Sequence, residues 1–421
     1  MLTVADPASA AARVGKKRLA APAGRTAGVG PDCVVASGFP CVSSGIGGTS
    51  RTCMDEKDQK QSAIAEMIGG VRDSQVASND LDTWRENLEA FIAAQSGVSG
   101  PVVCSDLQRP QTGASSGNLG FSATADFGEG RQTRKFFLRY RYPVGIMGPY
   151  LCDIPGQFAT QKALNDAGLP VPKPLWLDPS GSFLEHPGFV VEFVSGRVAP
   201  QSYFQDGVIA EAPPERRREM ILNVVRTLVE VHALDWQRCG LNFLKHRGEG
   251  HSWLERDFSW YMTAATLMRP DVLETMRKVE AWLLAHQPRQ SGCVLNHGDA
   301  NLANYMFEAS GARVVAVLDW EMAHLNPPEV DLAYLGVANE VVAQGAHVEG
   351  LPSHTELIEE YAGLSGYRPA NLDYFRTFAL ARLTIIFHVA VRHMSPEQCE
   401  ATRAGWGWFE DHLLERLHGE I

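Results

Sequence analysis

From Asp80 onward the chain carries two alternating periods. Leu81, Trp84, Leu88, Phe91 and Ile92 recur every three or four residues, which places them on one helical face with Asp80 as the N-cap. Val102 to Leu107 then reads as a strand. A Gly/Ser-rich turn over 111–120 leads to a second strand, Phe121 to Asp126. In Arg134 to Tyr142, Lys135, Phe137, Arg139 and Arg141 alternate with Phe136, Leu138 and Tyr140, the period of two expected of a strand. Pro155 opens a helix reaching about Ala167, because proline is tolerated in the first turn. Two further strands follow near Leu175–Leu177 and Gly188–Val194. The first half is therefore a small sheet with one inserted helix.

The second half is mostly helical, over Glu215–Leu234, Trp253–Leu267, Asp271–Ala285, Thr355–Ala362, Leu372–His393 and Pro396–Leu417. A short β-rich island lies among these helices: Val294–Asn296, Tyr305–Phe307 and Val314–Leu318. Residues 1 to about 53 differ from the rest. They are rich in Ala, Gly, Ser, Pro and Val, contain only Asp6 and Asp32 as acids, and keep no sustained period. This segment is expected to be a disordered or non-native extension, with Met54 as an alternative start.

The densest cluster of polar residues surrounds the island. Asp299 follows a short apolar strand and opens a loop, a place where a carboxylate is rigidly supported yet exposed. Asn304 lies five residues on, across a loop short enough to return its amide to the same site. Asp-x-x-x-x-Asn is the spacing of a phosphoryl-transfer loop, in which the Asp accepts the proton of the attacking hydroxyl and the Asn binds metal. Asp319 leaves the next apolar strand, where a carboxylate can hold Mg²⁺ on nucleotide phosphates. Taken singly, each has a plainer reading as a turn or cap residue. His297 is read as fixing the loop and Asp331 as tying it down, both as structural support.

Together, His297-Gly298-Asp299-x-x-x-x-Asn304, Val317-Leu318-Asp319-Trp320-Glu321 and Pro328-Glu329-Val330-Asp331-Leu332-Ala333-Tyr334-Leu335 resemble the aminoglycoside phosphotransferase and choline kinase-like superfamily. Closer in, the chain is similar to the kinase-like domains related to those fused to certain acyl-CoA dehydrogenases. The resemblance runs from about Asp80 to about Leu417. It implies a two-lobed α+β, protein-kinase-like fold with a small antiparallel-sheet N-lobe (54–195) and a larger helical C-lobe (196–421). It also implies that Asp299 is the catalytic base, that Asn304 and Asp319 bind Mg²⁺ with Glu321 near the metal, and that Glu192, Phe193 and Val194 form the hinge meeting the nucleotide base. The turn containing Gly113, Ser115, Ser116 and Gly117 would cover the phosphates of ATP or GTP. Arg139 would be the phosphate-binding cation, standing where protein kinases place Lys. Gln157 stands where the family has a Glu to orient that cation, so Arg139 would rely on weaker contacts or on another acid such as Asp153.

Composition narrows the partners. The formal net charge of −11 argues against general affinity for nucleic acid or anionic membrane, which want a basic surface. No stretch approaches the ~20 apolar residues of a membrane helix. The eight cysteines are scattered, with no metal-ligand spacing, as expected of reduced thiols in a cytoplasmic protein. The expected activity is ATP- or GTP-dependent transfer of phosphate to a hydroxyl of a small metabolite: a hydroxyacyl-CoA, an amino alcohol or an aminoglycoside-like acceptor. Gln157 supports the alternative, a nucleotide-binding pseudokinase that regulates a partner. A metal-dependent hydrolase built on His297, Asp299 and Asp319 lacks a second histidine at ligand spacing.

Overall fold

A computed structural model describes residues 81–109, 116–141, 153–289, 292–343 and 345–421. The N-terminal 53 residues, Asp80, Gly113 and Ser115, about which expectations were formed, lie outside the described residues. Helix α1 (Leu81–Ala93) presents Trp84, Leu88, Phe91 and Ile92 to the core, as its period requires. It packs on a five-stranded sheet built from β1 (Ser99–Gln108), β2 (Gly117–Asp126), β3 (Arg131–Tyr140), β4 (Pro174–Asp178) and β5 (Gly188–Glu192). The strand order is β1-β2-β3-β5-β4, antiparallel throughout. Helix α2 (Ile154–Asp166) is inserted between β3 and β4. Asp153 is its N-cap, accepting from the Gly156 N–H at 3.0 Å, and Pro155 lies in its first turn.

On β3 the alternation sends Phe136, Leu138 and Tyr140 into the core and leaves Arg139 on the other face. The Gly/Ser turn is shorter than expected, because β2 begins at Gly117 rather than at Phe121. Gly117 pairs with Tyr140, and a Cβ there would lie 2.1 Å from the Tyr140 ring; the missing side chain makes room for the tyrosine.

Past β5, a short β6 (Arg197–Val198) leads into the helical half: α3 (Gly207–Ala210), α4 (Pro214–His232), α5 (Trp253–Ala265), α6 (Pro270–Ala285), α7 (Glu329–Ala343), α8 (His354–Ser365), α9 (Leu372–Ala390) and α10 (Pro396–Arg416). Ser252, Ser353 and Ser395 begin α5, α8 and α10 with reciprocal capping boxes. The island supplies β7 (Val294–Asn296), β8 (Tyr305–Phe307), β9 (Val314–Val317) and β10 (His324–Asn326). β7 pairs with β10, and β8 lies between β6 and β9. The expected small antiparallel lobe and larger helical lobe are both present. Four elements were not foreseen: the short β6 and α3, and α7 and β10. Helix α7 is buried on nearly every face, Val330, Leu332, Leu335 and Val337 pointing in different directions into apolar packing, so it has no polar stripe to reveal its period.

Candidate active site

β7 delivers His297, Gly298 and Asp299 to the edge of the cleft, and the loop behind them is closed by its own side chains. Asn301 caps the single 3₁₀ turn Leu302–Asn304, its Oδ1 accepting from the Ala303 N–H at 2.9 Å. Its amide donates to Asp299 Oδ1 at 2.7 Å. Asn304 Nδ2 donates to both the backbone oxygen (2.9 Å) and Oδ2 (2.8 Å) of Asp299. The carboxylate is thus oriented by two amides, and the Asn304 NH₂ is committed to it, which leaves the Asn304 side-chain carbonyl oxygen as the end able to meet a ligand.

Gly298 has φ +87°, and a Cβ there would lie 2.0 Å from the Met322 carbonyl oxygen; no other residue fits. Its N–H and that of His297 both donate to the Asp331 carboxylate, at 2.9 and 2.7 Å. Asp331 arrives from the first turn of α7, is fully buried, and also meets His232 Nε2 at 3.2 Å. Burial alone would raise its pKa. The His232 hydrogen bond and the charges of His232, His297 and His324 outweigh that and hold it down to about 2. His297 spans the two loops: Nε2 donates to the Leu318 carbonyl at 2.8 Å and Nδ1 accepts from the Asp299 N–H at 3.2 Å. That pairing is met by the Nε2–H tautomer.

Asp319 leaves β9 with φ 64° and ψ 64°, a left-handed conformation unusual for a side-chain-bearing residue. The Leu318 N–H bonds to the Asn304 carbonyl at 2.8 Å and so fastens this segment to the Asp299 loop. Arg139 reaches across from β3. Its Nη2 donates to Asp319 Oδ1 and to Glu321 Oε2, both at 2.6 Å, and its Nε donates to Gln157 Oε1 at 2.7 Å. The Ser116 hydroxyl, next to Gly117, meets Glu321 Oε2 at 3.2 Å. Gln157 therefore does orient the arginine from α2, while the negative charge comes from Asp319 and Glu321. Asp153 does not take that part, being engaged as the cap of its own helix.

At the hinge, the Glu192 N–H bonds to the Lys173 carbonyl (2.9 Å) and the Phe193 N–H to the Lys135 carbonyl (3.3 Å). Among the described residues the Val194 N–H has no backbone acceptor. The Phe193 side chain is half exposed. Asp299, Asn304, Asp319, Glu321, Arg139, Gln157 and Ser116 are thus brought together, whereas Glu192–Val194 lie at the lobe junction.

Sequence reasoning missed Tyr334. It lies buried beside the Asp299 carboxylate, and its pKa is pushed far up, by burial first and then by the Asp299 charge. The signal was its place three residues after Asp331 on one helix. Of the aromatic residues considered for the pocket wall, Tyr261 is fully buried, Trp253 packs edge-on against Trp236, and Trp260 lies under Arg247.

Oxygen donors from two loops, a cation from the sheet lobe and a carboxylate held by amides make up the site plan of a kinase-like phosphotransferase. The match to the phosphotransferase enzyme family spans residues 126–350, and the chain belongs to that family. Rat acyl-CoA dehydrogenase family member 11 is 30% identical over 254 residues, covering 57% of this chain and 32% of that protein. The chain spans about a third of the length of the curated relatives it matches. Two solved structures share the fold. A Ralstonia eutropha protein provisionally described as an aminoglycoside phosphotransferase has a TM-score of 0.57 at 22% identity, covering 77% of this chain and 98% of its own. Plasmodium vivax ethanolamine kinase has a TM-score of 0.52 at 14% identity, covering 87% and 96%. Among the described residues, no helix is long and apolar enough to cross a membrane.

Proposed function

We propose that this chain transfers the terminal phosphoryl group of a nucleoside triphosphate to a hydroxyl of a small metabolite. The observation that carries the reading is the convergence of Asp299, Asn304, Asp319 and Arg139 from three separate segments on one cleft. In this reading Asp299 Oδ2 or Oδ1 accepts the proton of the attacking hydroxyl, its direction set by Asn301 and Asn304. Arg139 binds phosphate oxygens with its planar fork, Gln157 holding Nε so that the fork keeps its plane. The turn at Ser116 and Gly117 lies over the phosphates, the Val194 N–H faces the nucleotide base, and the lobe boundary falls at the hinge near Glu192–Gly196.

The donors suit Mg²⁺. Among the described residues no group of three or more His, Cys, Asp or Glu could hold a metal on its own. The Asn304 carbonyl oxygen and the Asp319 carboxylate supply two hard oxygens, the small protein share that Mg²⁺ takes when substrate phosphates complete its shell. Once bound, Mg²⁺ would neutralise charge on the phosphates during transfer. Glu321 is close enough to assist, although it faces Arg139 here.

For the acceptor we favour a hydroxyacyl-CoA, because the curated relatives are acyl-CoA dehydrogenase family members. Amino alcohols and aminoglycoside-like compounds are the other classes to try. The test is transfer from labelled ATP and GTP to each class, with Asp299→Ala as control. Transfer that the substitution abolishes supports the kinase reading. Mg²⁺-nucleotide binding with no transfer to any acceptor would move the reading to the regulatory pseudokinase that Gln157 suggests.

A further inference from the structure

Behind the two loops lies a second charged cluster that the chemistry above does not use. Asp257 on α5 and Arg382 on α9 are buried, and Arg247, just after the turn Leu241–His246, is nearly so. Both arginines hold Asp257 at a distance: Arg247 Nη2 is 3.7 Å and Arg382 Nη1 3.8 Å from its carboxylate. His324 Nε2 lies 3.4 Å from Asp257 Oδ2, and Asn326 Nδ2 donates to the same oxygen at 3.2 Å. Burial pushes the His324 imidazole down to about 4, so at neutral pH two guanidinium groups face the Asp257 carboxylate, with that of Asp331 the next in range.

Such a cluster is a poor way to stabilise a core. Burying charged groups is costly, and packed aliphatic side chains of similar volume usually do as well or better. Several of its polar atoms have no hydrogen-bond partner among the described residues, including Nε of both arginines and Asp257 Oδ1. The bonds that the arginines do make go to two places. Arg382 Nη2 donates to the Gly298 carbonyl at 2.6 Å and to the Tyr261 hydroxyl at 2.6 Å. Arg247 Nη1 donates to the Met322 carbonyl and, at 2.7 Å, to that of Ala323. Gly298 immediately precedes Asp299, and Met322 and Ala323 immediately follow the Asp319–Glu321 segment. His324 Nδ1 bonds to the same Met322 carbonyl at 2.9 Å, the oxygen against which the missing Gly298 side chain fits.

We propose that Arg247, Asp257 and Arg382 form a buried brace that sets the separation of the Asp299 loop from the Asp319 loop. Each arginine grips one loop by its backbone carbonyls, and Asp257 ties the two arginines together. These are positioning residues: among the described contacts none of them meets Asp299, Asn304, Asp319 or Arg139, and toward the cleft Arg382 reaches only the ring of Tyr334, 5.5 Å from its centroid. The functional half of the proposal rests on the kinase reading of Asp299 and Asp319; the mechanical half does not.

The test is amide hydrogen exchange on the full chain, read by mass spectrometry, alongside kinetics. Arg382→Met should speed exchange in 294–304 by about tenfold while sparing 318–326, and Arg247→Met should do the reverse. Asp257→Asn should loosen both. Phosphate transfer should lose about 100-fold in kcat with nucleotide KM within about threefold, the signature of misplaced rather than missing groups. Arg382→Lys should restore part of the kcat, because an ammonium can still reach the Gly298 carbonyl. Should a Met variant fail to fold, the Lys variants carry the exchange test, each loosening its own loop only. Equal loosening of α5, α9 and both loops would overturn the brace and leave a plain helix-to-helix ion cluster; unchanged loops would overturn it too. If wild-type protein transfers phosphate to no acceptor, the kinase reading fails while exchange still decides the brace.

Discussion

The two sides of the cleft are held in different ways. The Asp299 loop is closed by near neighbours, with Asn301 and Asn304 turned back on the carboxylate and His297 bonded to the Asp299 N–H. The Arg139 side is held from a distance. Among the described residues, Gln157 of α2 and Asp319 and Glu321 after β9 grip it from 18 to 182 residues away in the chain. The first is a self-contained loop that any correctly folded helical lobe will form. The second exists only when the sheet lobe sits against the helical lobe, so its charges report on lobe closure. The counter-charge for the cation has also moved: Gln157 gives direction from α2, and Glu321 gives charge from the opposite lobe.

The comparison can be broken most sharply at Asp299. Asp299→Asn should lower kcat about 10³-fold with a modest fall in melting temperature, because the new side chain keeps an oxygen for one amide while its NH₂ faces the other. A loss under tenfold would remove Asp299 from the chemistry. Next in size is the support under the same loop. Asp331→Asn leaves His297 and Gly298 N–H groups facing a weaker acceptor in a buried site, and should cost about 3 kcal/mol in denaturant unfolding at pH 7. Its pH dependence has a definite sign. The folded carboxyl sits at about 2, below its ordinary 3.8, so its stabilisation is complete above pH 4 and lost as pH falls toward 2. Wild type should therefore lose about 2 kcal/mol more than Asp331→Asn across that window.

Smaller effects lie on the Arg139 side. Glu321→Gln removes one of two carboxylates and should raise nucleotide KM about tenfold with little change in stability. Gln157→Glu should change kcat/KM by less than about threefold, since Arg139 already has its charge partners. A gain above tenfold would show instead that the missing acid on α2 limits the enzyme and that Glu321 does not replace it.

The same contrast decides what could be read in advance. Asp299, Asn301 and Asn304 fall within six residues, so their spacing alone brings them together, and the apolar strands on either side announce the loop. The helix face of α1 and the alternation of β3 were equally plain, because each has one wet side and one dry one. The Arg139–Glu321 contact was out of reach, since no local pattern encodes a partner 182 residues away. Asp257 and Arg382 carry no local signal in the sequence; only the packing of α5 against α9 buries them. Helix α7 hid for the opposite reason, having too little polarity to show a period.

The left-handed backbone at Asp319 has a consequence for the history of the chain. Holding a side-chain-bearing residue there costs about 1–2 kcal/mol, a strain that glycine would relieve at once. Selection for stability alone therefore pulls this position away from aspartate in every generation. A chain without phosphate to transfer would be free to take glycine or asparagine here, so an aspartate at this turn is what the proposed metal-binding role asks for.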